Sequence, residues 1–185
     1  PDILIGAYGS GDTGRVFVFF GPFSGSLDTD SADVVYTATV GTQVGFSVAG
    51  GCDLDGDGNQ DDFLIGDPAA VEIDQTTGAL WVVTGPISTG TYNLDDFATK
   101  LVGVPGSAAG SALSCSGDLN NDGVDDILVG APQYEGRGAA FVVYTPTSSR
   151  RLEGSIILMG EAPSDLTGSR VAITPDLNND GFDDL

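Results

Sequence analysis

An acidic loop that recurs three times in register, a step of roughly sixty residues between copies, and short alternating or β-branched apolar runs between them predict the fold class. The expectation is an all-β chain of β-propeller blades, each of about four antiparallel strands. The loops lie in "GFSVAGGCDLDGDGNQDDFLIGDP" (45–68), "GSALSCSGDLNNDGVDDILVGAP" (110–132) and "GSRVAITPDLNNDGFDDL" (168–185). Gly45, Gly110 and Gly168 each stand eight residues before the first Asp of their loop. A fourth, partial copy is the N-terminal "PDILIGAYGSGDTGRVFVFFGP", which matches "DDILVGAPQYEGRGAAFVVYTP" from its second residue. From Ile3 to Phe63, Ile127 and Leu185 the steps are 60, 64 and 58 residues. About three repeats therefore fill the chain: a partial first blade with its connector (1–44), a second repeat (45–109), a third (110–167) and the start of a next one (168–185). Propellers close with four to eight blades, so these repeats are expected to belong to a larger propeller or repeat assembly.

Within each period the elements follow one order. An alternating run such as "FSVAG" reads as a first strand, and the acidic loop follows it. An apolar strand comes next ("FLIG", "ILVG"), then a Gly-rich turn, then a β-branched or aromatic strand ("ALWVVTG", "AAFVVYT"). A weaker fourth strand is expected near "ATKLVG" and "SIILMG". Trp81 and Phe141 occupy matching places in the third strand and are expected to pack between blades. The segments 24–40 and 87–103 differ most between repeats and are expected to form outer strand and rim loops. No stretch sustains a capped 3.6-residue apolar period, so helix content should be low. A β-sandwich could use the same strands, but it does not require so regular a repeat.

Composition narrows the function. With 41% apolar residues and a mean hydropathy of +0.10, the 185-residue chain can fill a core despite a formal charge of −21. Twenty-seven acids against six bases leave no basic footprint, which argues against nucleic acid and anionic lipid as partners. No apolar run reaches membrane-spanning length, so direct membrane insertion is not expected. Thirteen acids fall within 53–62, 118–126 and 176–184, so the charge is gathered into sites instead of spread as a solvated film. The absence of His removes His-based triads and HExxH zinc sites. Cys52 and Cys115 sit at different offsets from their loops, which favours two buried thiols over a bridge.

The loop spacing is Asp-x-Asp/Asn-x-Asp-Gly-x-x-Asp. Carboxylate or amide oxygens at positions 1, 3 and 5, a Gly at the sharp turn, a backbone carbonyl at 7 and a carboxylate at 9 can wrap a hard cation. The ligand sets are Asp53, Asp55, Asp57, Asn59 and Asp61; Asp118, Asn120, Asp122, Val124 and Asp126; and Asp176, Asn178, Asp180, Phe182 and Asp184, with Asn59, Val124 and Phe182 acting through their carbonyls. All-oxygen ligation points to Ca²⁺ at up to three structural sites, and less to Mg²⁺, which demands a stricter octahedral shell. An EF-hand is ruled out by position 12, where Leu64 and Val129 stand in place of the bidentate Glu. The first loop is one residue longer than the second, so either Asp61 or Asp62 supplies the ninth-position carboxylate, and strict counting selects Asp61. Asp125 and Asp183, at position 8, are expected to face solvent.

The Gly-x-x-[Val/Leu] strand, the acidic loop, "DDILVGAP" and "GRGAAFVVY" together resemble the FG-GAP repeat of integrin α-subunit β-propellers and their microbial relatives. The name-giving Phe-Gly stands here as Val44-Gly45, Ala109-Gly110 and Thr167-Gly168, and Gly-Ala-Pro is complete only at Gly130-Ala131-Pro132. The resemblance implies structural calcium in the loops and ligand binding by loops on a propeller face. It implies a non-enzymatic, extracellular or cell-surface module for adhesion, for ligand binding, or for building a filament or multi-repeat protein. Its partners would be other copies or further repeats completing the assembly, with a protein or glycan as ligand. The competing reading is a propeller-type hydrolase or lyase acting on carbohydrate or phosphoester, its catalytic carboxylates drawn from Asp28, Asp30, Asp33, Glu72, Asp95, Asp96 and Glu135 outside the loops.

Overall fold

The computed structural model describes residues 2–39, 42–144 and 148–185. Three sheets carry the chain. The first orders β1 (Ile3–Ala7), β2 (Arg15–Phe19) and β3 (Val34–Thr37) as an antiparallel meander, with β9 (Gly90–Asn93) added in parallel at its outer edge. The second runs β4 (Ser47–Cys52), β5 (Asp62–Asp67), β8 (Ala79–Val83) and β10 (Thr99–Val102), and β14 (Arg150–Arg151) is added in parallel. The third is β11 (Ala112–Ser114), β12 (Ile127–Ala131), β13 (Ala139–Val143) and β15 (Ile156–Met159). A small hairpin of β6 (Val71–Glu72) and β7 (Gln75–Thr76), one α-helical turn, α1 (Leu94–Phe97), and 3-10 turns at Thr29–Ser31 and Tyr134–Gly136 lie between the sheets' strands.

The four-stranded antiparallel unit and the weak fourth strands at β10 and β15 are as the repeat predicts. The parallel additions are not, because they cross repeat boundaries: a piece of the second repeat extends the first sheet, and a piece of the third extends the second. Arg150 and Arg151 thus serve through their backbone, pairing with Leu101 and Val102. An outer strand has an open edge, and a neighbouring connector that pairs with it both satisfies its backbone groups and joins adjacent blades.

The sheets pack face to face. One core lies between the first and second sheets and contains Val16, Val18, Tyr36, Phe63, Ile65 and Trp81. A second lies between the second and third and contains Leu64, Leu80, Val82, Ile127, Val129 and Phe141. Strands β5, β8, β12 and β13 are buried at every residue, because both faces are covered: β5 and β8 by the first and third sheets, β12 and β13 by the second sheet and by Leu119, Val171 and Ile173; continuous apolar runs are the consequence. Trp81 and Phe141 occupy the same place in the two cores, paired with Ile65 and Val129. Successive inner strands approach so closely that a Cβ on Gly66 would collide with the Gly110 carbonyl, as would one on Gly130 with that of Gly168. The repeated glycines are thus contact points between blades.

Cys52 and Cys115 form a disulfide, with Cα atoms 5.8 Å apart, in place of the expected separate thiols. Their unequal offsets follow from the geometry: Cys52 precedes its own blade's acidic loop, and Cys115 follows the first strand of the facing blade. Among the described residues no helix is long and apolar enough to cross a membrane.

Candidate metal centre

The first acidic loop connects β4 to β5, the second connects β11 to β12, the third is closed by the Thr174–Asp184 bridge, and each is organised by its own side chains. In the first loop Asp53 Oδ1 and Oδ2 accept from the backbone N–H groups of Gly56 and Gly58, both at 2.8 Å. Asp118 Oδ2 accepts likewise from Gly123 at 2.7 Å, and Asp176 Oδ2 from Gly181 at 2.9 Å. At position 5, Asp57, Asp122 and Asp180 each accept from the N–H two residues on, that of Asn59, Val124 or Phe182. Such Asx turns wind the chain around the carboxylates. Two positions need a left-handed backbone: position 4 (Gly56, Asn121, Asn179, φ 75°, 58° and 61°) and position 6 (Gly58, Gly123, Gly181, φ 87°, 89° and 94°). Gly and Asn tolerate that region best, which explains both sites.

The far end of the loop settles where the extra residue lies. Asp62 Oδ2 accepts from Leu54 N–H at 2.6 Å, as Asp126 Oδ2 accepts from Leu119 at 2.8 Å and Asp184 Oδ2 from Leu177 at 2.7 Å. Registers agree through position 7 and again from Asp62, so the additional residue falls within Gln60-Asp61. Asp62 therefore stands where Asp126 and Asp184 stand, and strict counting, which selects Asp61, is displaced by that one residue. Asp62 is 2% exposed and its Oδ1 accepts from Gly85 N–H at 2.8 Å.

In the first loop one oxygen each from Asp53, Asp55 and Asp62 lies within 4.8 Å of the other two. Oxygens held 2.3–2.6 Å from one Ca²⁺ cannot be more than about 5 Å apart, so this set fits a shared hard cation. The electrostatics agree. Burial pushes the Asp62 carboxyl above the usual carboxylate range, the N–H groups of Gly85 and Leu54 oppose that shift, and the charges of Asp55 and Asp61 add to it. For Asp118, burial is outweighed by the backbone N–H groups of Gly123, Asp122, Asn121 and Asn120, which hold the carboxyl below its usual range. Gly181 N–H, with those of Asp180, Asn179 and Asn178, does the same for Asp176. A cation would supply the counter-charge that the crowded Asp62 side chain lacks.

Position 8 departs from expectation. Asp125 Oδ2 accepts from Asp53 N–H at 2.9 Å while Asp125 N–H donates to the Asp53 carbonyl at 2.9 Å, so the second loop clasps the first. Asp183 repeats the clasp on Asp118, at 3.0 and 3.3 Å. Asp125 and Asp183 thus bridge neighbouring repeats and do not point freely to solvent. Burial raises the Asp125 carboxyl, with the charges of Asp53 and Asp118 adding to the shift against the N–H groups of Asp53 and Gly117.

Five of the candidate carboxylates outside the loops have structural partners. Asp28 caps a 3-10 turn through Ser31 N–H, Asp33 accepts from Phe20 N–H, Glu72 pairs with Lys100, and Glu135 pairs with Arg137. Asp95 accepts from Thr39 N–H and Trp81 Nε1.

The FG-GAP repeat family profile matches residues 109–143, which span β11, the second acidic loop, β12 and β13. Integrin alpha-4 of Xenopus laevis is 28% identical over 196 residues, covering all of this chain and 18% of that protein. Integrin alpha-PS5 of Drosophila melanogaster is 28% identical over 180 residues, 94% of this chain and 17% of the relative. Integrin alpha-X of Homo sapiens is 33% identical over 158 residues, 78% and 13% respectively. The chain thus spans less than a fifth of each of these curated relatives. With the repeated blades, the inter-blade glycines and the acidic loops in register, the chain is one of the FG-GAP, integrin α-like family of β-propeller proteins.

Proposed function

We propose that the chain is a calcium-stabilised, extracellular β-propeller module, acting in adhesion or ligand binding or as a structural unit of a surface assembly. The observation that carries the calcium reading is the approach of Asp53, Asp55 and Asp62 to within 4.8 Å of one another. The proposed ligand sets are Asp53, Asp55, Asp57, the Asn59 carbonyl and Asp62; Asp118, Asn120, Asp122, the Val124 carbonyl and Asp126; and Asp176, Asn178, Asp180, the Phe182 carbonyl and Asp184. When bound, the ion supplies positive charge that lets these carboxylates share one turn. The backbone N–H donors aim the oxygens inward, and the clasps pass each loop's order to its neighbour. Flexible oxygen ligation favours Ca²⁺ over Mg²⁺.

The buried Cys52–Cys115 bridge supports an oxidising, extracellular setting, where disulfides persist. The structural engagement of Asp28, Asp33, Glu72, Asp95 and Glu135 supports a non-enzymatic role. Repeats at 1–44, 45–109, 110–167 and 168–185 are proposed as the units of a larger propeller. Further repeats or other copies are its proposed partners, with a protein or glycan bound by rim loops.

The test is calorimetry and native mass spectrometry with and without chelator. Chelation is expected to lower Tm, and added Ca²⁺ to restore it; an unchanged Tm overturns the calcium reading. Asp118→Ala with Asp122→Ala should lose one ion. Asp62→Asn should weaken the first site while Asp61→Asn leaves it intact, and the reverse pattern would restore Asp61 as the ligand.

A further inference from the structure

The disulfide is placed at a residue that meets both ends of the first acidic loop. Cys52 precedes Asp53, the first carboxylate of the loop, and in the ladder of β4 and β5 it stands opposite Asp62, the carboxylate that closes it. That ladder shifts register between Gly50 and Cys52, with Gly51 in the left-handed region at φ 82°, so strand pairing is interrupted just where the loop begins. Cys115 holds Cys52 from the facing blade, and the two cysteines, 0% and 2% exposed, lie in one core with Leu54. The Asp125 clasp fixes the Asp53 backbone to the same blade by two hydrogen bonds.

The other two loops lack this covalent tie. The residue before their first Asp is Gly117 or Pro175. Ile173 stands three residues before Asp176, as Cys115 stands before Asp118, and it lies so near Gly117 that a Cβ there would collide with it. The clasp recurs, with Asp183 on Asp118, whereas the bridge belongs to the first loop. A cation shared by Asp53, Asp55 and Asp62 needs their oxygens within the 4.8 Å seen here. A bond that fixes the residue between Asp53 and Asp62 before the ion arrives lowers the ordering entropy that binding would otherwise cost.

We propose that Cys52–Cys115 is a redox latch on the first cation site: reduction weakens this site and leaves the second, and an ion in the site shields the bridge from reduction. The assignment rests on the calcium reading above. The reductant is a dithiol. Its thiolate attacks one sulfur and displaces the other, and its second thiol then resolves the mixed disulfide. Two electrons and two protons pass to Cys52 and Cys115, and the dithiol leaves as a cyclic disulfide. Reaching the buried sulfurs requires the loop to part from the facing blade, and an ion holding Asp53 to Asp62 opposes that local opening. By linkage, the factor by which reduction lowers calcium affinity is the factor by which calcium disfavours reduction.

The test is amide NMR of the whole chain during Ca²⁺ titration, with the bridge intact and after reduction by dithiothreitol. Gly58 N–H reports the first loop and Gly123 N–H the second. Reduction is expected to raise the calcium midpoint at Gly58 about tenfold, within the roughly 5–150-fold span of couplings between sites, and to leave the Gly123 midpoint in place. An unmoved Gly58 midpoint, or equal shifts at both glycines, overturns the latch. In the oxidised chain, thiol release to dithiothreitol, read by alkylation and mass spectrometry, should be severalfold slower with Ca²⁺ than with chelator. Asp62→Asn should remove that protection. These initial rates need only the oxidised fold, so they decide the matter if the reduced chain loses its dispersed spectrum. Equal rates with Ca²⁺ and chelator, or protection that persists in Asp62→Asn, refute the proposal. No calcium response at either glycine removes the calcium reading itself, whereas a response whose midpoint ignores reduction removes the latch alone.

Discussion

Replacing the position-2 leucines by alanine, one loop at a time, separates the acidic loops as inter-blade plugs from the loops as exposed ion holders. Leu54 is 3% exposed within the core of the second and third sheets, Leu119 is half-buried against the third sheet, and Leu177 is 72% exposed. A fully buried Leu→Ala change costs about 2–5 kcal/mol, transfer and cavity together. Leu54→Ala should therefore lose about 3 kcal/mol, or roughly 6–12 °C in Tm for a domain of this size. Leu119→Ala should lose about 1–2 kcal/mol, and Leu177→Ala no more than about 0.5 kcal/mol. All three are measured by thermal and urea unfolding at saturating Ca²⁺, so that ion binding is held constant. Calcium titration of Leu54→Ala should also show weaker binding at the first site, because Asp53 and Asp55 flank the lost anchor. Equal losses for Leu54→Ala and Leu177→Ala would refute the reasoning, since burial is what sets their expected costs apart.

Three further outcomes are expected. Asp125→Ala should lower stability by about 1–2 kcal/mol in urea unfolding, because it leaves the Asp53 N–H without its acceptor. Asp125→Asn, which keeps an acceptor oxygen and removes a charge that burial and two neighbouring carboxylates disfavour, should cost less than the alanine variant. Replacing Cys52 and Cys115 together by alanine should cost about 4 kcal/mol on a chain-entropy estimate for a loop of sequence separation 63, read as a fall in Tm. Burial pushes the Tyr36 phenol up to about 12, with Tyr92 adding to the shift. Its stabilising contribution is present in full below pH 10, the unfolded value, and is lost as pH rises from 10 towards 12. Alkaline unfolding followed by circular dichroism should show Tyr36→Phe losing less stability across that window.

Much of the site was legible because its chemistry is local. The carboxylates at positions 1, 3 and 5 and the Gly at position 6 act within a few residues of one another, and their hydrogen bonds run to N–H groups two to five positions on. Position 4 carried a readable signal too, in the alternation of Gly56 with Asn121 and Asn179, both residue types that accept a left-handed backbone. The equivalence of Asp62, in place of Asp61, with Asp126 and Asp184 was not legible, because two neighbouring aspartates differ only in which way the chain presents them. A one-residue step along a strand exchanges faces, so the choice depends on register and not on composition.

The sequence by itself determined the repeat, the strand-rich blade and the loop chemistry, since each rests on periodicity or on contacts between near neighbours. Only the tertiary structure decided that Cys52 meets Cys115, that Asp125 and Asp183 clasp the preceding loop, that Leu54 plugs the next inter-blade core, and that β9 and β14 extend sheets of the preceding blade. Each of these joins residues tens of positions apart across the gap between two blades. That gap is set by how closely the glycine-bearing inner strands approach, a property of the packed sheets that no single repeat contains.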